Sequence, residues 1–80
     1  MKSKILVVDD EKNIRDIFNL LLVERGYLVE CAVDAASGLA KAASFGPDVL
    51  LLDMNLPDRP GIEVLSRVRE IPIEDASSIE

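Results

Sequence analysis

Short apolar runs along the chain alternate with stretches of helical periodicity. The runs KILVV, YLVECAV and VLLL are rich in β-branched residues or leucine, which is typical of strands buried in a parallel sheet. Between the runs, apolar residues recur at spacings of three and four, as expected for one face of a helix. The order β-α-β-α-β-α predicts an α/β fold in which right-handed crossovers place helices on both faces of a parallel sheet.

The predicted helices have recognisable ends. The first apolar stripe consists of Ile14, Ile17, Phe18, Leu21 and Leu22. Gly26 follows it and can close this helix in a left-handed conformation. Asp34 is a candidate N-cap for a second helix over about residues 35–45. The third helical pattern, GIEVLSRVRE, begins at Gly61.

Acidic residues directly follow the first and third apolar runs. Asp9 and Asp10 come after the first predicted strand, and Asp53 comes after the third. Ligands of open parallel sheets bind at the carboxyl ends of the strands, where the winding direction reverses. If the strand order is 2-1-3, the three acids meet there. The simpler interpretation, in which each Asp only caps a helix or starts a turn, suits one isolated Asp better than two such clusters.

Adjacent carboxylates repel one another unless they bind a proton, pair with a base or hold a metal ion. The sequence has no histidine, and no Lys or Arg lies at either of these strand ends. Oxygen ligands with open coordination positions favour Mg²⁺. Asn55, two residues after Asp53, can add a backbone carbonyl to such a site. A metal-bound phosphate beside a carboxylate is a setting for phosphoryl transfer onto that carboxylate.

Composition excludes several classes of function. The 80 residues suit one small domain, and 15 acidic against 9 basic residues give a net charge of −6. This charge argues against nonspecific binding to nucleic acid or to anionic membranes. The N-terminal apolar run is too short for a signal peptide or a membrane span. We therefore expect a cytoplasmic protein without direct nucleic-acid or membrane contacts.

Three motifs in order, ILVVDDE, VLLLDMNLP and PGIEVL, resemble the receiver domain of two-component response regulators over roughly residues 4–69. The resemblance implies a flavodoxin-like fold. It implies that Asp53 accepts a phosphoryl group from a sensor histidine kinase or a phosphotransfer protein, so that the domain is a signalling phosphoacceptor and not an enzyme. It also implies Mg²⁺ binding by Asp53, by Asp10 directly, by Asp9 through water or by shaping the site, and by the backbone carbonyl of Asn55.

The chain departs from the family pattern chiefly in length. Receivers have five βα units, whereas residues 1–69 supply three, and we expect 70–80 to be an acidic tail or a remnant of the next segment. The family pattern also has a Ser or Thr at the end of the fourth strand. An alternative interpretation takes IPIEDASS as that strand and Ser77 as this hydroxyl residue, but it places Glu74 and Asp75 where a central strand needs apolar side chains. The family's lysine after the fifth strand has no counterpart, so we expect a truncated or fragment form with impaired switching.

Three strands alone would leave the third strand at the edge of the sheet, with its leucines and backbone groups exposed. The alternative function is therefore a non-switching interaction module that forms a homodimer through this edge. A phosphatase with an aspartyl nucleophile is disfavoured, because that class needs a second acid two residues after the nucleophile, where Asn55 follows Asp53.

Overall fold

A computed structural model describes residues 2–67 and 73–75, in which strands and helices alternate along the chain. The elements are β1 (Lys4–Val8), α1 (Lys12–Glu24), β2 (Leu28–Ala32), α2 (Ala35–Phe45), β3 (Val49–Leu52), α3 (Gly61–Arg67) and β4 (Ile73–Asp75). The alternation matches the prediction from periodicity. None of the helices in the described part of the chain combines the length and apolarity needed to cross a membrane.

The strands form one parallel sheet in the order β2-β1-β3-β4. The predicted order 2-1-3 is confirmed, since β1 pairs with β2 on one side and with β3 on the other. In the second pair Val8 lies opposite Leu52. The residues that follow these two, Asp9 and Asp53, therefore leave the sheet side by side, and this register positions the candidate site.

The expectation that β3 forms an exposed edge is wrong. Ile73–Asp75 pairs in parallel with Leu50–Leu52, and all three leucines are buried, with at most 6% of their surface exposed. The penalty expected for Glu74 and Asp75 applies to a strand inside a sheet. In the described part of the chain β4 is the outermost strand, where charged residues are common. Ser77, which only the alternative interpretation places at the family's hydroxyl position, lies outside the described residues.

The sheet separates two apolar clusters, because successive side chains of a strand point to opposite faces. Helices α2 and α3 cover the larger cluster, whose buried members are Leu6, Val8, Ala32, Ala35, Leu50, Leu52, Leu56 and Val64. Helix α1 covers the smaller one, formed by Ile5, Val7 and Leu51 with Phe18 and Leu22 packed against them. Both faces are thus covered, as expected for a parallel sheet.

The ends of α1 and α2 follow the sequence signals. Gly26 has a φ of 93°, and its N–H and that of Tyr27 donate to carbonyls of the last turn of α1, at 3.0 and 3.1 Å, in a Schellman arrangement. Asp34 is the N-cap of α2 and forms a capping box with Ser37. The apolar stripe of α1 is wider than the face it buries, since Ile17 is 53% exposed.

Candidate metal centre

Three aspartates meet at the carboxyl ends of β1 and β3. The N–H of Asp9 donates to the carbonyl of Ala32 at 3.0 Å, and the N–H of Asp53 donates to the carbonyl of Val8 at 2.9 Å. Both residues therefore extend the ladder of the sheet by one hydrogen bond. One carboxylate oxygen from each of Asp9, Asp10 and Asp53 lies within 4.8 Å of the others. The structure thus brings together the three acids that the sequence singled out.

The three aspartates differ in exposure, and their like charges repel one another. Asp9 is only 6% exposed, whereas Asp53 is half-buried and Asp10 lies in solvent. The pKa of Asp9 is raised, mainly by burial and further by the charges of Asp53 and Asp10, against the lowering effect of a hydrogen bond from Glu11. Three carboxylate oxygens this close to one another suit a hard divalent cation, so the residues fit Mg²⁺.

Helix capping does not explain the acids after β1. The N-cap of α1 is Glu11, whose side chain makes no capping hydrogen bond. Oδ1 of Asp9 accepts from the N–H of Glu11 at 2.9 Å, which stabilises the turn before the helix. Among the described residues, no hydrogen bond from the first turn of α1 reaches Asp10. The turn before α1 therefore accounts for one oxygen of Asp9 and leaves Asp10 unexplained.

The loop after Asp53 is a closed turn. The N–H of Asn55 donates to Oδ1 of Asp53 at 3.0 Å, and Asn55 forms an isolated antiparallel bridge with Pro60. The N–H of Gly61 donates to the carbonyl of Met54 at 2.9 Å. A Cβ at Gly61 would lie only 2.7 Å from the backbone oxygen of Asp53, so only glycine allows α3 to begin this close. Asn55 is thereby held beside the phosphoacceptor candidate, and its role as a carbonyl ligand stays a prediction.

Sequence reasoning missed Arg15. The first turn of α1 brings its Nη1 to the backbone oxygen of Asp9, to which it donates at 2.9 Å, and its charge lowers the pKa of Asp9 against the larger effect of burial. No basic residue follows a strand directly, but a residue in the first turn of the next helix can fold back onto the strand end. One guanidinium leaves the excess negative charge of three carboxylates in place.

Sequence comparisons identify relatives of this chain. A family model described as response regulator receiver domain matches residues 5–79, beyond the end of the motif resemblance at residue 69. The chain is 44% identical over 71 residues to the transcriptional regulatory protein DltR of Streptococcus agalactiae. It is 45% identical over 67 residues to the transcriptional regulatory protein TrcR of Mycobacterium tuberculosis. These alignments cover 89% and 84% of this chain but 32% and 26% of the relatives, so it spans about a third of their length or less.

Solved structures share the fold. The chemotaxis response regulator CheY4 of Vibrio cholerae aligns with a TM-score of 0.87 at 37% identity, covering 91% of this chain and 66% of that one. The N-terminal domain of a response regulator receiver protein from Methanoculleus marisnigri JR1 aligns with a TM-score of 0.83 at 34% identity, covering 88% and 62%. The sheet order and the alternating helices are those of the flavodoxin-like receiver fold. The chain therefore belongs to the response regulator receiver domain family.

Proposed function

We propose that this chain is the phosphoacceptor receiver domain of a two-component response regulator and that Asp53 is phosphorylated in a Mg²⁺-dependent reaction. The observation that carries the proposal is the convergence of Asp9, Asp10 and Asp53, within 4.8 Å of one another, in a chain of the receiver family. Asp53 is the proposed nucleophile because it directly follows an interior strand of the described sheet and its exposure is intermediate between that of buried Asp9 and that of exposed Asp10.

The proposed donor is the phosphohistidine of a sensor histidine kinase or a phosphotransfer protein. The N–H of Asn55 holds Oδ1 of Asp53, which leaves the second carboxylate oxygen to attack phosphorus. A P–O bond forms as the P–N bond of the donor breaks. The electron pair of the broken bond stays on the imidazole, which leaves as a neutral ring when its other nitrogen carries a proton.

The residues around Asp53 have separate proposed roles in binding Mg²⁺. Asp10 is exposed and can meet a hydrated ion, whereas one oxygen of buried Asp9 is already engaged by Glu11. We propose Asp9, Asp10, Asp53 and the carbonyl of Asn55 as the Mg²⁺ site. Bound Mg²⁺ would offset the negative charge of the phosphoryl oxygens.

The product of this reaction is a modified Asp53, so the proposal describes a signalling domain and not an enzyme that turns over a substrate. The amide Asn55 stands where an aspartyl phosphatase needs an acid. The matched relatives are named transcriptional regulatory proteins. Because the alignments cover a third of them or less, we assign no nucleic-acid or membrane contact to this domain, whose net charge is −6. A cytoplasmic location is part of the proposal.

The alternative function, a non-switching module that forms a homodimer through the β3 edge, has less support. Its premise was an unpaired edge along Leu50–Leu52, and β4 pairs with this edge. The two functions also differ in a measurable way. A conformational change on phosphorylation would mean that switching survives and would favour the receiver, whereas a phosphorylated chain with unchanged spectra would favour the module.

The test uses the full chain with acetyl phosphate, a small phosphoryl donor. In the presence of Mg²⁺ we expect the intact mass to increase by one phosphoryl group, and amide signals around the pocket to shift in NMR spectra. Asp53→Asn should abolish the mass increase, and EDTA should suppress it in the wild type. A mass increase that persists in Asp53→Asn, or that is independent of Mg²⁺, would contradict the proposed function.

A further inference from the structure

Helix α2 is capped by two acids, one directly before the helix and one in a loop that follows it by more than ten residues. Its own N-cap, Asp34, accepts from the N–H of Ser37 at 2.8 Å. The first two N–H groups of the helix, those of Ala35 and Ala36, donate to Oδ1 and Oδ2 of Asp58, at 2.9 and 3.1 Å. One carboxylate from the loop after β3 thus binds two backbone donors that helix geometry leaves without an internal partner.

The loop that carries Asp58 is the loop of the metal site. It starts at Asp53, and the bridge between Asn55 and Pro60 closes it. Leu56, inside the closed turn, is buried in the same cluster as Ala35 of α2. Leu56 therefore anchors the loop in the apolar cluster that α2 covers, and the carboxylate of Asp58 joins the loop directly to α2. Because the turn is closed, a shift of its tip is transmitted to Asn55.

The ionised form of Asp58 suits this contact. Its pKa is lowered, mainly by the hydrogen bond from the N–H of Ala35; desolvation opposes this effect, and further hydrogen bonds, including the one from the N–H of Ala36, add to the lowering. The carboxylate also lies at the positive end of the dipole of α2. At neutral pH the contact is therefore made by a charged acceptor, which forms stronger hydrogen bonds than a neutral one.

We propose that Asp58 is a positioning residue for the Asp53 pocket, whose two hydrogen bonds to α2 hold the loop so that Asn55 stays at the metal site. This inference rests on the proposed function, since the affinity at stake is that of the Mg²⁺ site. It follows that α2 and the metal-binding loop move as one unit. Asp58 acts through Asn55 and does not itself contact the ion.

Asp34 provides a matched control, because its carboxylate caps the same helix through Ser37 and, among the described residues, makes no hydrogen bond to the loop. Asp58→Ala and Asp34→Ala should both lower stability in urea unfolding. Mg²⁺ titrations of the full chain, followed by NMR, should then separate the two. We expect Asp58→Ala to weaken Mg²⁺ binding by roughly tenfold, at the low end of what loss of an outer-sphere partner causes, and Asp34→Ala to leave it within twofold of the wild type.

Asp58→Asn keeps one acceptor oxygen and should recover part of the Mg²⁺ affinity, which also covers the case in which Asp58→Ala does not fold. Equal weakening in the Asp34 and Asp58 variants would overturn the inference, because both would then act only through helix stability. Wild-type affinity in Asp58→Ala and Asp58→Asn would overturn it as well.

A second readout keeps this inference separate from the proposed function. In metal-free buffer, the amide of Asn55 should exchange its hydrogen faster in Asp58→Ala than in the wild type or in Asp34→Ala. If the wild type fails to bind Mg²⁺, the proposed function fails. The positioning role of Asp58 is then tested by the hydrogen-exchange rate of the Asn55 amide alone. An unchanged rate in Asp58→Ala would refute this role.

Discussion

Replacing Asp53 with asparagine should make the metal-free protein more stable. The substitution removes a negative charge from a cluster in which each acid presents an oxygen within 4.8 Å of the others. Asparagine retains a side-chain oxygen that can accept the hydrogen bond from the N–H of Asn55. Shape and hydrogen bonding are thus kept, and the main change is the loss of repulsion with Asp9 and Asp10.

The size of the effect follows from Coulomb's law. Two unit charges separated by the 4.8 Å limit repel by about 1 kcal/mol in bulk water and by about 3.5 kcal/mol at the effective dielectric constant of ~20 found near protein surfaces. The repulsion between Asp53 and solvent-exposed Asp10 is nearer the lower figure, and the repulsion between Asp53 and buried Asp9 is nearer the higher one. The two repulsions together amount to about 4.5 kcal/mol by these figures, and screening by salt reduces this by about half, so we expect the free energy of unfolding to rise by about 2 kcal/mol.

Urea unfolding followed by circular dichroism, with and without EDTA, measures this change. Glu24→Gln is a suitable control, because it removes one charge at the end of α1, outside the acidic cluster. The free energy of unfolding of this variant should rise by only about 0.3 kcal/mol, because a negative charge at the C-terminal end of a helix interacts unfavourably with the helix dipole. Added Mg²⁺ at ten times its dissociation constant should stabilise the wild type by about 1.4 kcal/mol and Asp53→Asn by much less.

Two results would refute this reasoning. If Asp53→Asn in EDTA is no more stable than Glu24→Gln, the three carboxylates do not repel one another as their geometry requires. If Mg²⁺ stabilises Asp53→Asn as much as the wild type, the ion binds elsewhere. Asp10→Ala tests the same point independently and should also combine weaker Mg²⁺ binding with higher metal-free stability.

Further substitutions test the loop and the core. Gly61→Ala should lower the free energy of unfolding by about 1–3 kcal/mol, because its Cβ would overlap the backbone of Asp53; unchanged urea stability would contradict this. The lowered pKa of Asp58 contributes stability that is complete above the ordinary carboxyl value of 3.8 and is lost as the pH falls through the lowered pKa. The difference in free energy of unfolding between wild type and Asp58→Asn, measured in urea titrations, should therefore become smaller under acidic conditions. A difference that does not change with pH would contradict this role of the Asp58 carboxylate. Leu52→Ala should cost about 2–5 kcal/mol, whereas Leu20→Ala, at a residue 68% exposed, should change stability by less than about 0.5 kcal/mol. Similar losses in the two leucine variants would refute the assigned core.

Much of the fold could be predicted because its signals are local. The change from continuous apolar runs to helical spacing marks the strands and helices, and Asp34 was recognisable as an N-cap from its position before an Ala-rich stretch. The fourth strand was misjudged for a physical reason. Its acids argue against a central strand, but Ile73–Asp75 is the outermost strand of the described sheet, where that penalty does not apply.

Side-chain contacts between separate elements were beyond prediction. Arg15 reaches the backbone of Asp9 only because α1 folds back over the end of β1. Asp58 reads in the sequence as an ordinary turn residue, yet it binds the N–H of Ala35, 23 residues earlier in the chain. Neither contact has a signature in periodicity or in turn chemistry, because each depends on how separate elements pack.

The sequence by itself determined which elements form and that acids follow the first and third strands, since hydrophobic spacing and residue type act over a few neighbouring positions. Only the tertiary structure decided that Val8 lies opposite Leu52, which places Asp9 beside Asp53, and that Asp58 joins the loop after β3 to α2. Strand register and helix docking come from the packing of segments far apart in the chain, and this packing turns three separate carboxylates into one candidate site.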